Sequence, residues 1–144
     1  MSRAFFQAAI DRASPDDINA RDYSAQERTP LHCLVMHHDQ RTLVRKLIEA
    51  GALLDAVDTD GRTPLNWAAA FCHRSSVQEL LDHGADTAIK DNEGRLAADW
   101  AQEGGCPEVS ALIFDAYRQK LKAAAAEKAK AKAERKAQRE AEAA

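Results

Sequence analysis

The sequence predicts an all-α fold, a solenoid of helix–turn–helix repeats with finger loops that is followed by a long C-terminal helix. Two patterns recur at nearly the same interval. Thr-Pro stands at residues 29–30 and 63–64, 34 residues apart, and Gly-Ala stands at residues 51–52 and 84–85, 33 residues apart. Self-similarity at a fixed period of this length indicates a tandem array whose repeats pack on their neighbours. The terminal helix is predicted by the Ala, Lys and Glu that dominate residues 117–144, since all three favour helices.

Within each repeat, Thr-Pro marks the start of the first helix and Gly-Ala follows the end of the second. A Thr hydroxyl can cap the amides of the first turn, and Pro suits the first helical position because its missing N–H would have no partner there. Glycine accommodates the left-handed backbone that ends many helices. In the second repeat the pattern predicts a second helix that is capped by Ser75 or Ser76 and stops at Gly84.

The start of the chain is predicted to cap the repeat array. Residues 4–12 place Phe6, Ala9 and Ile10 on one helical face, which predicts a half-repeat that covers the apolar edge of the first full repeat. The repeat period divides the rest of the chain. The predicted segments are a capping half-repeat at 1–21, repeats at 22–57 and 58–90, a degenerate capping repeat at 91–116 and a charged helical tail at 117–144.

The third repeat departs from the pattern and leads directly into the tail. Leu96 and Ala97 replace the Thr-Pro helix start, while Pro107 suits the first position of the next helix. The glycine period predicts a helix-ending Gly at position 117, where Tyr117 stands instead. We therefore expect one helix to continue into the tail, with core packing that ends at about Leu121, the last large apolar residue.

The recurring stretches carry a family resemblance. Residues 58–69 read D-T-D-G-R-T-P-L-N-W-A-A, and residues 80–86 read L-L-D-H-G-A-D. They resemble the ankyrin-repeat pattern D-x-x-G-x-T-P-L-H-x-A, with a second helix that ends in Leu-Leu before G-A-D. The resemblance covers about residues 16–116. It implies an ankyrin-repeat solenoid that usually binds other proteins, and it implies a structural role for His32, which would brace the finger backbone.

Two turns of the first repeat differ from the family spacing. Its finger, residues 23–28, is two residues longer and lacks the glycine, and the turn near residues 37–40 holds one extra residue. Insertions cost little free energy in exposed turns. The two turns are therefore either candidate contact sites or places of neutral drift.

The net charge of −3 conceals a division between stack and tail. Residues 115–144 hold 9 basic and 5 acidic residues, a net +4, which leaves 11 basic and 18 acidic residues, a net −7, for the rest. An acidic body repels nucleic-acid phosphates and favours a basic protein partner. The tail alternates lysines with acids and has no aromatic residue after Tyr117 for stacking on bases, so we predict no nucleic-acid partner.

Membrane and redox signals point to the cytoplasm. No run approaches the roughly 18 apolar residues of a membrane span, and residues 1–6 are not followed by the apolar stretch of a signal peptide. Three cysteines, Cys33, Cys72 and Cys106, form an odd number without a disulfide spacing, which suits a reducing compartment. The tail lacks a heptad of bulky residues, so we expect a monomer when the protein is free.

No residue set predicts chemistry. His32 and Cys33 are sequence neighbours that point apart on a helix, so they cannot both join a tetrahedral zinc site or act as a nucleophile pair. Residues 55–61 superficially resemble a calcium loop, but with Gly61 at its sixth position Ala56 and Trp67 would occupy ligand positions. We therefore expect no catalytic residue, no metal and no cofactor, and a protein that is not an enzyme.

What remains is a surface for another protein. The resemblance places the ends of the first helices on the concave face, where Phe71 is an exposed apolar anchor unless the cap or the tail covers it. Trp67 and Trp100 are expected to pack between helices. The predicted contact residues are Met36, His37, Phe71 and Glu103 on the concave face, and Tyr23, Glu27, Asp60, Arg62, Glu93 and Arg95 on the fingers.

The predicted function is non-enzymatic protein binding through the concave face and finger loops. The compact size slightly favours a stoichiometric inhibitor, immunity protein or adaptor over a scaffold. The alternative is a structural subunit of a larger assembly that is anchored by its C-terminal helix. Loss of binding after deletion of the tail would favour the alternative.

Overall fold

A computed structural model describes residues 10–23 and 26–143 of the chain. The predicted N-terminal helix falls mostly on residues 4–9, which lie outside this description, and residues 10–12 are helical. Ile10 packs against the core. Seven helices have both ends within the described ranges: α1 (Pro15–Ile18), α2 (Pro30–His37), α3 (Arg41–Glu49), α4 (Pro64–Ala70), α5 (Arg74–Asp82), α6 (Ala97–Glu103) and α7 (Pro107–Ala143).

The helices form two layers, as expected for an all-α solenoid. The first helices of the pairs, α2, α4 and α6, stack on one another, and the second helices α3, α5 and α7 stack behind them. Apolar side chains from both layers fill the space between, and α1 adds Ile18 at one edge. The largest fully buried apolar residues are Leu31, Leu34, Leu43, Leu65, Leu80 and Ile113.

The Thr-Pro prediction of helix starts is confirmed. The hydroxyl oxygens of Thr29 and Thr63 accept hydrogen bonds from the third-residue amides of α2 and α4, at 3.5 and 3.2 Å. The first residue of each helix is a proline. At α6, where Thr is missing, the carboxylate of Asp99 accepts a hydrogen bond from the Leu96 amide at 2.9 Å and stabilises the same turn.

The predicted cap of α5 is wrong. The helix begins at Arg74, and neither Ser75 nor Ser76 is its N-cap. The amide and the hydroxyl of Ser76 instead donate to the Asp39 carboxylate, at 3.0 and 3.3 Å. Asp39 belongs to the lengthened turn of the first repeat, so this turn satisfies the start of the helix in the next repeat.

The prediction of one continuous C-terminal helix is confirmed, because α7 passes through Tyr117 and continues to Ala143. Its 37 residues give a length of about 55 Å at ~1.5 Å per residue. The packing ends a turn earlier than expected. Tyr117 is half-buried, residues 118–143 are all exposed, and Leu121 is 52% exposed. Within the described part of the chain, no helix combines the length and the hydrophobicity that crossing a membrane requires.

The expectation that the cysteines stay unpaired is wrong for two of them. Cys72 and Cys106 form a disulfide, with Cα atoms 5.9 Å apart and a sequence separation of 34 residues. Cys72 follows α4 and Cys106 follows α6, so they occupy equivalent turns that stacking makes neighbours. Cys33 is free. The cysteines therefore no longer argue for a reducing compartment.

Candidate functional site

Two aspartates build the base of the second and third fingers. One carboxylate oxygen of Asp58 accepts hydrogen bonds from the amides of Asp60 and Arg62, at 2.9 and 3.0 Å. Its other oxygen accepts from the indole N–H of Trp67, at 2.8 Å. Asp91 repeats these contacts one repeat later, with Trp100 at 2.9 Å. The acidic stretch at residues 58–61 is therefore a turn that organises its own backbone.

The three fingers are joined to one another through backbone hydrogen bonds. The Thr59 amide donates to the Gln26 carbonyl at 3.0 Å, and the Asn92 amide donates to the Asp60 carbonyl at 2.9 Å. Gly61 has φ +74°, and a Cβ atom there would lie 2.5 Å from the side-chain oxygen of Asn92. The tight approach of the second and third fingers therefore requires glycine at this position.

The first finger turns without a glycine. Gln26 and Glu27 adopt the left-handed backbone instead, with φ of 62° and 56°. An isolated antiparallel bridge between Asp22 and Arg28 closes the finger. Arg21 also stabilises this finger, because its guanidinium donates to the carbonyls of Glu27 and Val57 at 3.3 and 2.6 Å.

Arginine and tryptophan side chains alternate along the finger bases in a stack that we call the Arg–Trp ladder. The guanidinium carbons of Arg28 and Arg62 both lie over the Trp67 ring, 4.7 and 4.9 Å from its centroid. Those of Arg62 and Arg95 lie over the Trp100 ring in the same way, at 4.5 and 5.0 Å. Cation–π contacts of this kind contribute about 0.5–2 kcal/mol each. Both indoles pack against the core, as expected, and are half-buried rather than fully enclosed.

Five of the predicted contact residues meet in one charged network beside the ladder. Arg62 lies 3.9 Å from Asp60 and 4.0 Å from Glu93. Arg95 lies 3.4 Å from Glu93 and 2.7 Å from Glu103. The carboxylates of Asp60, Glu93 and Glu103 remain about half exposed, so the network presents an acidic edge to solvent.

Phe71 is a large apolar side chain that is partly exposed to solvent. It follows the last residue of α4 and is 49% exposed. Its ring stacks on Trp67 and on His73, with centroid distances of 6.1 and 6.0 Å. The His73 ring is held in turn by a 2.6 Å hydrogen bond to the Val35 carbonyl. The Phe71 side chain therefore has a fixed support while about half of its surface faces solvent.

The remaining predicted contact residues lie apart from this network. Tyr23, at the first finger, is 82% exposed, and Glu27 beside it is half-buried. Met36 is half-buried and His37 is exposed at the end of α2. Among the described residues, Tyr23, Met36 and His37 make no ion pair or hydrogen bond with the charged network.

A family model described as ankyrin repeats (3 copies) matches residues 4–91 and 39–123, which together cover most of the chain. The chain belongs to the ankyrin-repeat family. No curated protein matches it. Ankyrin repeats are generally protein–protein interaction modules and are typically non-enzymatic.

In this ankyrin-repeat protein His32 has the structural role that the resemblance implied. The buried ring bonds to the Thr29 hydroxyl through Nδ1 at 2.7 Å and to the Arg62 carbonyl through Nε2 at 2.9 Å. It thus connects α2 to the finger of the next repeat. Burial lowers the pKa of His32 below its usual value, and burial raises the pKa of the neighbouring Cys33 thiol. Within the described residues, no cluster of three or more His, Cys, Asp or Glu side chains could hold a metal ion.

A buried carboxylate on the second helices is a feature that the sequence reading missed. Glu79 is 1% exposed, and Arg45 and Arg41 donate to it at 2.7 and 2.6 Å. The hydrogen bond from Arg45, together with that from Arg41, lowers the pKa of Glu79 to about 2 although burial opposes the shift. Arg41 also reaches Asp82 at 3.1 Å. This cluster joins α3 to α5 and so stabilises the layer of second helices.

Proposed function

We propose that this ankyrin-repeat protein is a non-enzymatic binder that docks another protein on its concave face and finger loops. The observation that carries the proposal is Phe71, a half-exposed aromatic residue on a fixed support. Aromatic anchors of this kind often dominate the binding energy of protein interfaces. The acidic edge formed by Asp60, Glu93 and Glu103 would form the rim around it.

The negative charge of the rim favours a partner with a basic surface. The repeat stack carries a net −7, and the rim carboxylates stay open to solvent although each has an arginine neighbour. A partner that offers an apolar pocket for Phe71 with basic residues around it would match both features. Electrostatic complementarity of this type mainly raises the association rate. The small size of the stack suits a stoichiometric role as an inhibitor, an immunity protein or an adaptor.

The support beneath the surface also favours binding without rearrangement. The Arg–Trp ladder and the hydrogen bonds between fingers hold the contact residues on three consecutive repeats. Preorganised side chains lose less conformational entropy when a partner docks. The partner would in turn stabilise this short stack by mass action.

The experiment is a capture of partners from the native source with the full chain and two matched variants. Phe71→Asp places a charge at the proposed anchor, and we expect it to abolish capture of the bound protein. Leu53→Asp makes the same chemical change at another exposed apolar residue, 58% exposed in the loop after α3, and should leave capture intact. Equal capture by all three chains would overturn the proposal.

A second candidate function has one specific observation in its favour. α7 continues as a helix for 26 exposed residues, 118–143, beyond its last half-buried one. A helix of this length could anchor the protein as a structural subunit of a larger assembly. In that case Phe71→Asp would retain the partner and removal of the helix would release it.

A further inference from the structure

The exposed part of α7 carries its cations on one side. Five of them fall at positions spaced by one, three or four residues, which lie close together on a helix. At 3.6 residues per turn they occupy an arc of about 100°, and between residues 128 and 139 this arc contains no acidic residue. We call this surface the basic stripe. Its members are Lys128, Lys132, Arg135, Lys136 and Arg139.

The stripe is unpaired in the described part of the chain. The ion pairs that α7 makes involve Asp115, Arg118 and Lys120, all before the stripe begins. Glu127 and Glu134 lie on another side of the helix, about 80–100° from the nearest edge of the stripe, whereas Glu140 and Glu142 follow its last residue at about 40° and 20° from its edges. Like charges three or four residues apart destabilise an isolated helix by a few tenths of a kcal/mol per pair. The helix thus carries a local electrostatic cost that an external anion would remove.

We propose that the basic stripe is a docking surface for an acidic helical segment of a partner protein. The two helices would share the same residue spacing, so carboxylates at four- and three-residue intervals would meet the stripe along its length of about 16 Å. Alanines flank the cations and allow close approach, for example Ala131 within the stripe. This inference concerns a second surface and does not depend on the proposed role of Phe71.

The position of the stripe favours a short protein segment over a nucleic acid. Lys128 lies 15 residues after the last buried residue, Ile113, or about 22 Å along the helix. Lys120, which pairs with Asp86 of the stack at 3.5 Å, lies 8 residues before Lys128, or about 12 Å along the helix. This separation exceeds one Debye length of about 8 Å at physiological salt, so salt weakens the repulsion between the acidic stack and an anion confined to the stripe. An extended polyphosphate would reach the stack and meet its net −7 charge.

The residues around the stripe also disfavour other anionic surfaces. The last aromatic residue of the chain is Tyr117, so no ring is present beside the stripe to stack on bases. Alanine is the only apolar residue type after Leu121, so the helix lacks the bulky side chains that insert into a membrane interface.

The test uses the full chain and a labelled helical peptide in which Glu recurs at four- and three-residue intervals among alanines. A peptide of the same composition with Glu spread around the helix is the matched control. We expect fluorescence anisotropy at about 0.15 M salt to show tighter binding of the patterned peptide. Lys132→Glu with Arg135→Glu should weaken this binding roughly tenfold, since each exposed ion pair contributes up to about 1 kcal/mol.

A second pair of substitutions tests whether binding depends on the stripe itself or only on the net charge of the helix. Lys122→Glu with Lys130→Glu changes the charge equally at two positions outside the stripe, about 40° and 120° from its nearest edge, and should leave the affinity within about twofold, which is under 0.5 kcal/mol. The neutral pair Lys132→Gln with Arg135→Gln should weaken binding in the same direction as the stripe reversal. Far-UV circular dichroism verifies that each variant keeps its helix. Phe71→Asp should bind the peptide normally, which distinguishes this surface from the concave one.

Several outcomes would overturn the inference. Equal losses from the stripe and off-stripe pairs would show attraction to net charge only. Tighter stripe-dependent binding of a duplex oligonucleotide or of anionic phospholipid vesicles would assign the surface to another class of partner. Sedimentation velocity would show whether the protein dimerises. If the wild type is a dimer and Lys132→Glu with Arg135→Glu is a monomer, the stripe binds the acidic stack of a second copy instead.

Discussion

The repeat stack and the exposed end of α7 are built by different means. In the stack, apolar residues such as Leu65 are buried and charged residues such as Glu79 and Asp91 are held by several partners. In residues 118–143 every side chain is exposed, and the helix depends on its Ala-rich composition. The comparison shows that tertiary contacts specify the stack, whereas backbone propensity alone specifies the helix. Substitutions should therefore have large effects on stability in one region and local effects in the other.

The sharpest contrast is between two leucines. Leu65 is 1% exposed in α4 and Leu121 is 52% exposed in α7. Leu65→Ala should lower the free energy of unfolding by about 2–5 kcal/mol, because it removes buried apolar surface and leaves a cavity. Leu121→Ala should change it by less than about 0.5 kcal/mol. Urea unfolding followed by tryptophan fluorescence measures both values, and similar losses would contradict the division.

The disulfide belongs to the stack and should stabilise it substantially. It closes a loop of 34 residues, and such cross-links typically contribute about 2–4 kcal/mol. Reduction with a phosphine, or Cys72→Ser, should lower the unfolding free energy by that amount. Cys33→Ser should preserve the response to reductant, since Cys33 is free. If the melting temperature of the wild-type protein does not change when reductant is added, the disulfide does not stabilise the stack.

The Glu79 cluster predicts acid sensitivity of the stack. The pKa of Glu79 is about 2 in the folded protein against a usual 4.5, so its stabilisation is present above pH 4.5 and is lost as the pH falls from about 4.5 to 2. Glu79→Gln should lower stability by about 1–3 kcal/mol at neutral pH. The difference from wild type should vanish in strong acid.

His32 provides an internal control for the same titration. Because burial lowers the pKa of His32, the unfolded chain takes up more protons as the pH falls below 6.5, and stability decreases. Wild type and Glu79→Gln should share this decrease, which begins as the pH falls below about 6.5. Denaturant unfolding across the pH range separates the two windows, and a constant gap between the proteins down to pH 2 would contradict the Glu79 assignment.

The smallest effect on the stack is expected from the exposed helix. Ala133→Gly should cost about 1 kcal/mol of local helix stability and lower the far-UV helical signal. Trp67 and Trp100 lie in the stack, so the denaturant midpoint of the unfolding transition followed by their fluorescence should not change. A shift of that transition would mean that the helix end and the stack unfold together.

The sequence predicted much of this fold because its signals are local. The Thr-Pro starts and the missing glycine at position 117 act on neighbouring backbone groups, so the starts of α2 and α4 and the continuation of α7 were foreseeable. The cap of α5 was not, because Asp39 from the preceding repeat takes the place of a local serine. The disulfide could have been suspected, since a separation of 34 residues is close to one repeat period.

The sequence allowed single residues of the candidate site to be predicted, but not how they are arranged into a surface. Phe71 and the finger charges were identified, but their support by the Arg–Trp ladder was not. Two of its four contacts, Arg28 with Trp67 and Arg62 with Trp100, join residues from adjacent repeats and depend on how closely the repeats stack. One signal was present: arginine and tryptophan recur together, as Arg62 with Trp67 and Arg95 with Trp100.

The most direct test of the central claim, that the concave face binds the partner independently of the helix, is a comparison of partner capture by the full chain and by a chain that ends at Leu121. Residues 122–143 are exposed, so the shorter chain keeps every buried core residue. We predict that the protein captured through Phe71 is held by both chains with equal efficiency and that Phe71→Asp abolishes its capture by both. Release of the partner by the truncation alone would contradict the account and make α7 the anchor.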